Sequence, residues 1–191
     1  MDIISATPDH GLAIAELALM AGEGIPAHFW DLARRPDQSS LEYGAERAAS
    51  PGQNFSYRNA HLAVGEGRVM GMLLGYRLPD ADAAEDLEDL PDFIRPLVEL
   101  EQCVPGSYYI NMLATYPAFR GQGIGTALME RVPEWAHAKG CDLASVEVFE
   151  QSPGAMQLYQ RLEYRIVESR EVVPHPCYPY TGKVFLLTKR V

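Results

Sequence analysis

The order of helical and alternating hydrophobic patterns along this 191-residue chain predicts an α/β domain built on a mixed sheet with helices on both faces. Three observations carry that prediction. Apolar residues recur at helical spacing early in the chain, the period then switches to strand-like runs, and a buried strand later passes through a glycine-rich turn into an amphipathic helix. The length suits one domain, residues 1–191. A chain of this size buries about 70% of its unfolded surface and needs no disulfide or metal to hold a core.

Ile3 to Ala6 reads as a short strand, and Thr7-Pro8 supplies an N-cap followed by proline at the first helical position. Leu12, Ala15 and Leu19 continue at helical spacing up to the break at Gly22-Glu23-Gly24. A second helical region covers Phe29 to Ala49, is interrupted near Pro36, and ends before Pro51-Gly52. His61 to Val64 and Arg68 to Leu78 then read as strands around a hairpin turn, Gly65-Glu66-Gly67. Tyr108 to Ala114 is a largely buried strand. The helix after it spans about Gly123 to Lys139, with Ile124, Leu128, Val132 and Trp135 on its inner stripe and Gly140 as its stop. Pro133 inside that pattern predicts a kink or an early end. Leu143 to Phe149 is a strand, Pro153 to Leu162 a short helix, and Arg165 to Val173 with Lys183 to Lys189 a closing strand pair.

Sixteen basic side chains stand against 26 acidic ones, a net charge of −10. That balance argues against a general nucleic-acid binder, whose affinity comes mostly from Lys and Arg on phosphates. The chain start, Met1 to Ser5, lacks a basic region followed by an apolar stretch, and no uninterrupted apolar run is long enough to span a membrane. Cys103, Cys141 and Cys177 are odd in number and widely spaced, so they read as reduced thiols of a cytoplasmic protein. His61, His137 and His175 lack metal-ligand spacing and read as structural or exposed.

The charge is unevenly spread. Residues 79–102 hold nine acids, Glu85, Glu99 and Glu101 among them, against the single base Arg95, a net −8 that leaves only −2 for the rest of the chain. Leu87, Leu90, Ile94, Leu97 and Val98 still recur at helical spacing there, which predicts a pair of amphipathic turns broken by Pro91 and Pro96. Two readings stay open: a solvated face on an inserted helix, or an acidic lid beside a cationic substrate.

The stretch that carries chemistry runs from Tyr108 to Leu128. Its strand passes through Tyr116-Pro117 into Arg120-Gly121-Gln122-Gly123-Ile124-Gly125, which opens a helix. N–H groups at a helix start have no intrahelical partner and stand at the positive end of the macrodipole, so this arrangement is an anion cradle. The glycines are spaced two and two, unlike the dinucleotide fingerprint Gly-x-Gly-x-x-Gly, and Ile124-Gly125-Thr126 lacks the lysine of a Walker loop.

On these residues the chain resembles the GNAT superfamily of N-acetyltransferases. Arg120 to Gly125 matches its signature Arg/Gln-x-x-Gly-x-Gly/Ala. A second family pattern, Asn-x-x-Ala-x-x-Leu-Tyr-x-x-Leu-Gly-Phe, is followed from Ser152 to Tyr164 through Ala155, Leu158, Tyr159 and Leu162. Ser152 stands where the family has asparagine, and Glu163 where it has glycine. The resemblance implies a mixed, mostly antiparallel central sheet in a single acetyltransferase domain, with residues 79–102 as an acidic helical insert. It implies acetyl-CoA as co-substrate and no metal. The pyrophosphate would lie on Arg120, Gly121, Gln122, Gly123, Ile124 and Gly125, the pantetheine arm along Leu113, Ala114 and Thr115, and Ser152 would take the asparagine's place. The implied reaction moves an acetyl group directly to a primary amine of a small molecule or peptide within a ternary complex. A backbone N–H near Leu113 would stabilise the oxyanion.

Such a transfer needs a neutral nucleophile and a proton for the departing thiolate. An alkyl amine with a pKa of about 10.4 is protonated at neutral pH, so a base or a water relay must act. Tyr159 matches the family's general acid, although its place in the stripe Ala155, Leu158, Tyr159, Leu162 also suits a core tyrosine. Glu147, on the strand face opposite Ala144, Val146 and Val148, is either the base or a structural carboxylate, and Glu99 and Glu101 are its rivals. The loop His175 to Gly182 either holds Tyr178 and Tyr180 over a substrate mouth or is a rigid turn. Two other functions compete: a non-catalytic acyl-CoA-binding or sensing domain, and a module that docks the acidic insert on a basic protein. Oligomeric state, a homodimer included, stays open.

Overall fold

The computed structural model describes residues 1–83 and 86–191, so Glu85 of the acidic run lies outside the described residues. Seven strands follow the order β1-β2-β3-β4-β5-β7-β6 in one sheet. They are β1 (Asp2–Ser5), β2 (Ala60–Gly65), β3 (Arg68–Arg77), β4 (Tyr108–Thr115), β5 (Leu143–Phe149), β6 (Arg165–Glu171) and β7 (Lys183–Arg190). Pairing is antiparallel for β1 with β2, β2 with β3, β5 with β7 and β6 with β7, and parallel for β4 with β5. The mixed, mostly antiparallel sheet expected from the sequence is therefore present. Two compact units make up the chain, one of Met1–Gly75 with Met112–Met129, the other of Tyr76–Asn111 with Glu130–Val191. Among the described residues, no helix is long and apolar enough to cross a membrane.

The first unit holds α1 (Gly11–Ala21), α2 (Ile25–Ala33) and α3 (Ser40–Ala49). Thr7 N–H donates to His10 Nδ1 at 3.0 Å, which shapes the turn before α1. The second helical region begins earlier than its periodicity suggests, at Ile25 rather than Phe29. Gly24 turns the chain in the left-handed region and Pro26 sits in the first turn, where its missing N–H costs nothing. The break near Pro36 is real: α2 ends at Ala33, and α3 starts on a capping box in which Ser39 N–H donates to Glu42 Oε2 at 2.7 Å and Glu42 N–H to Ser39 Oγ at 3.2 Å. Ala15, Ala18 and Trp30 form the helical core, with Leu19, Leu41, Phe55 and Met112 packed on it. The hairpin turn has Glu66 at φ 52° and Gly67 at φ 71°, the pair of positive angles that a tight two-residue connection requires.

In the second unit β5 is flanked by β4, which pairs Tyr108 to Ile110 with Ala144 to Val146, and by β7, which pairs along its whole length. The expected long helix after the glycine loop is two helices, with α5 (Ile124–Glu130) belonging mostly to the first unit and α6 (Val132–Ala138) to the second. Pro133 lies in the first turn of α6, so of the expected kink or early end the chain takes the early end. Among the described residues, 79–102 include the short 3-10 turns Ala81–Ala83 and Leu87–Asp89, then α4 (Arg95–Glu101). Pro96 opens α4 instead of breaking a helix, because a first-turn N–H has no intrahelical acceptor to lose. The lone base binds this acidic segment together: Arg95 donates to the carbonyls of Leu87 at 3.0 Å and Leu90 at 3.3 Å and pairs with Asp92 at 3.2 Å. The last helix, α7 (Pro153–Arg161), ends where Glu163 takes a left-handed φ of 69°.

Candidate active site

The site residues named from the sequence fall into two groups. Leu113, Ala114, Thr115 and Arg120 to Gly125 lie in the first unit, Glu147, Ser152 and Tyr159 in the second. In the first unit, β4 runs out at Thr115 into a 3-10 turn, Pro117–Phe119, and the exposed stretch Arg120 to Gly123 before α5. Gly121 at φ 74° and Gly123 at φ 80° take left-handed backbone that other residues rarely adopt, and nothing stands within 4 Å of where a Cβ would be. The loop is held from its own side. Arg120 Nε donates to the Thr115 carbonyl at 3.3 Å and Gln122 Nε2 to the Ala118 carbonyl at 3.3 Å. In α5 the Ala127 N–H returns to the Gly123 carbonyl at 2.9 Å, which leaves the N–H groups of the preceding turn facing outward for an acceptor. Backbone donors with open space before them suit a pyrophosphate. Arg120 and Gln122 side chains, turned back on the loop, act here as its braces.

Three features of this cradle escaped the sequence reading. Gly71 in β3 is the closest approach: a Cβ there would stand 2.8 Å from the Ala114 carbonyl oxygen, 3.0 Å from Ile124 Cγ2 and 3.2 Å from Thr115 Oγ1. Only glycine lets β4's end and α5's start close over β3. Tyr116 OH donates to Glu16 Oε2 at 2.5 Å, anchoring the Tyr-Pro turn to α1, and burial beside that carboxylate pushes the phenol's pKa up. The Arg68 guanidinium lies 5.5 Å from the centre of the Phe119 ring. A glycine in a strand was the one legible signal for the first of these.

In the second unit, the β4–β5 register pairs Tyr109 with Ser145, so alternation puts Tyr109, Asn111, Ser145 and Glu147 on one sheet face. The side chain of Glu147 is half-buried, yet its Oε1 is wholly enclosed and has no protein hydrogen-bond partner. Burial, then the Glu101 carboxylate and Cys103, push its pKa well above the usual carboxylate range. A base that holds its proton more tightly than an ordinary glutamate is suited to deprotonate an ammonium. Burial, Glu147 and Glu101 likewise raise the Tyr109 phenol, and the Tyr76 ring stands edge-on to it at 5.8 Å.

The structure separates the rival carboxylates. Glu99 is held by Arg170, whose Nε donates to its Oε2 at 2.8 Å, so it is already committed to an ion pair. Glu101, one turn end later, is the acid whose charge reaches Glu147. Tyr159 is 6% exposed on α7, with its ring 6.1 Å from that of Tyr164. That burial is what the core stripe Ala155, Leu158, Tyr159, Leu162 predicts. Ser152 Oγ is 3.5 Å from the Tyr180 hydroxyl at the start of α7. The loop after β6 is chiefly a packed turn: Tyr178 is buried and donates its hydroxyl to the Val173 carbonyl, and Phe93 stacks on His175 at 4.0 Å. Tyr180, stacked on Phe149 at 4.5 Å, is half-buried. Cys103, Cys141 and Cys177 are free thiols, as read from their spacing.

Known proteins resemble this chain in sequence and in fold. The model of the acetyltransferase (GNAT) family matches residues 27–164. An uncharacterized N-acetyltransferase of Methanocaldococcus jannaschii is 40% identical over 64 residues, covering 34% of this chain and 27% of that protein. The chain spans between 27% and 42% of the length of the curated relatives it matches. A crystal structure of an acetyltransferase superposes with a TM-score of 0.71 at 24% identity over the whole of both chains. A Drosophila melanogaster polyamine N-acetyltransferase, which forms N-acetylagmatine, does so with a TM-score of 0.67 at 17% identity, again over the whole of both chains. These two share the fold. With a family match that takes in both the glycine loop and the Tyr159 helix, the chain belongs to the acetyltransferase (GNAT) family.

Proposed function

We propose that this chain transfers an acetyl group from acetyl-CoA to a primary amine by direct attack in a ternary complex. The observation that carries the reading is Glu147, a carboxyl group with one enclosed, unpartnered oxygen and a raised pKa, in a chain of this family. Acetyl-CoA fits the cradle: the outward N–H groups from Gly121 to Gly125 would take its pyrophosphate, and the backbone of Leu113, Ala114 and Thr115 would run beside its pantetheine arm.

In this reading Glu147 takes a proton from the acceptor's ammonium, and the freed amine nitrogen attacks the thioester carbonyl. The new C–N bond forms, the C–S bond breaks, and the Tyr159 hydroxyl gives its proton to the departing sulfur. Tyr159 regains a proton from the acetylated nitrogen by way of solvent. The products are an N-acetyl amine, free CoA thiol and one proton passed from Glu147 to water. A backbone N–H near Leu113 would serve the oxyanion.

Replacing Tyr159 by Phe tests the assignment of the acid. Turnover should fall by about a hundredfold, within the range of a lost proton donor, while acetyl-CoA affinity stays near wild type. Unchanged turnover would remove Tyr159 from the mechanism and return it to the core.

A further inference from the structure

The cradle of the first unit is fastened at its root. Arg120 to Gly123 is exposed, and the bonds of Arg120 Nε to the Thr115 carbonyl and of Gln122 Nε2 to the Ala118 carbonyl, both at 3.3 Å, close the loop on itself. Tyr116 ties it to the rest of the unit twice. Its N–H donates to the Met70 carbonyl of β3 at 3.0 Å, and its hydroxyl donates to Glu16 Oε2 of α1 at 2.5 Å. From there the turn builds on its own backbone: the Phe119 N–H donates to the Tyr116 carbonyl at 2.9 Å, and the Arg120 N–H to the Pro117 carbonyl at 3.3 Å, one residue before Gly121. Glu16 stands in an unusual place for such a contact. Helix α1 buries Gly11, Ile14, Ala15, Leu17 and Ala18, and helical spacing puts Glu16 on the opposite stripe with the exposed Leu12 and Met20. An acid there is ordinarily solvated, whereas Glu16 is half-buried and accepts a charge-assisted bond from a residue 100 positions away.

We propose that Glu16 and Tyr116 are positioning residues for the anion cradle. The bond between them fixes where the N–H groups from Gly121 to Gly125 point, and so sets the affinity for the pyrophosphate of acetyl-CoA, without either side chain touching it. The inference rests on the reading of this cradle as the acetyl-CoA site. Backbone donors bind an anion well when they already converge on it, because each residue ordered on binding costs conformational entropy. Gly121 and Gly123, in left-handed backbone, have the widest conformational choice of any residue, so the restraint on the loop has to come from its root. Pro117 carries that restraint forward, since its ring locks φ directly after Tyr116. A carboxylate acceptor holds the phenol more firmly than a neutral one would, which suits a fastening between two elements.

The test combines calorimetric binding of CoA with kcat/KM for acetyl-CoA and for S-acetylpantetheine, which has the same thioester arm and lacks the pyrophosphate. Tyr116→Phe keeps the ring and removes the hydroxyl. CoA affinity should fall by about tenfold, as for the loss of one charge-assisted hydrogen bond, and kcat/KM for acetyl-CoA should fall with it. For S-acetylpantetheine kcat/KM should hold near the wild-type value, whereas a merely structural loss would lower both. Glu16→Ala should match Tyr116→Phe, and the double variant should be no worse than either. Glu16→Gln, whose amide oxygen still accepts, should recover most of the CoA affinity. Wild-type CoA affinity in Tyr116→Phe, additive losses in the double variant, no recovery in Glu16→Gln, or an equal fall for the two thioesters would overturn the proposal. CoA binding that depends on Tyr116, without transfer to any amine, would sink the acetyltransferase reading and leave the positioning pair standing. Amine transfer with equal CoA affinity in wild type and Tyr116→Phe would do the reverse.

Discussion

The cradle of the first unit and the carboxylate face of the second are built from different parts of the chain's chemistry. The cradle is backbone: Gly121, Gly123 and the start of α5 offer N–H groups, and Gly71 makes room behind them. The carboxylate face is side chain: Glu147 from β5, Glu101 from α4, Tyr76 and Tyr109 from neighbouring strands, held by the Arg170–Glu99 bridge. A backbone site is tolerant of side-chain change at exposed positions and intolerant of any Cβ at its close approaches. A side-chain site behaves the other way, since single carboxylates carry the charge. In the proposed reaction the first part would hold the constant co-substrate and the second would meet the acceptor amine.

The sharpest break of that comparison is at Glu147. Replacement by Gln should lower kcat/KM by about a hundredfold or more while acetyl-CoA affinity, which the proposed function assigns to the other unit, stays near wild type. The pH profile adds a check. A base must be deprotonated to work, so with its pKa raised by burial, wild-type kcat/KM should climb as pH rises through a value above the usual glutamate range. Glu147→Gln should lack that limb, and a limb that persists in the variant assigns it to another group.

Gly71→Val is the reciprocal test. A Cβ 2.8 Å from the Ala114 carbonyl forces β4's end away from β3, so unfolding should show a loss of about 1–3 kcal/mol, the usual cost of overpacking. Acetyl-CoA binding should weaken by about tenfold, read by calorimetry. Wild-type affinity in a folded variant would show that the close approach does not shape the cradle.

The smallest effect is expected at the end of α7. Glu163 occupies a left-handed φ of 69° where the family pattern has glycine, so Glu163→Gly should raise stability by up to about 1 kcal/mol and leave both sites unchanged. A destabilised variant would mean that the side chain contributes more than the strained backbone costs.

The same contrast explains what was legible in the sequence. The cradle is spelled by contiguous residues, Arg120 to Gly125, whose glycines and position after a strand carry their meaning locally. Gly71 and Glu16 act on it across the fold, Glu16 from 100 residues before Tyr116; a glycine inside a strand marks Gly71, but no local pattern marks Glu16. Strand alternation located Glu147 on its own face, but that its rival Glu99 is tied up in an ion pair with Arg170 depends on a contact across the fold that no local pattern shows. The acidity of residues 79–102 was visible as composition; the way Arg95 and Pro96 shape it into turns and a helix was not, because the same proline breaks a helix interior and begins a helix at its first turn.

Thiol release from acetyl-CoA across a broad panel of primary amines, with the mass of the product, tests whether this chain transfers acetyl groups to amines. Amine-dependent release, together with a product heavier by one acetyl group on nitrogen, is the predicted result. Tight acetyl-CoA binding with no transfer to any amine would contradict it and favour an acyl-CoA-binding or sensing domain instead.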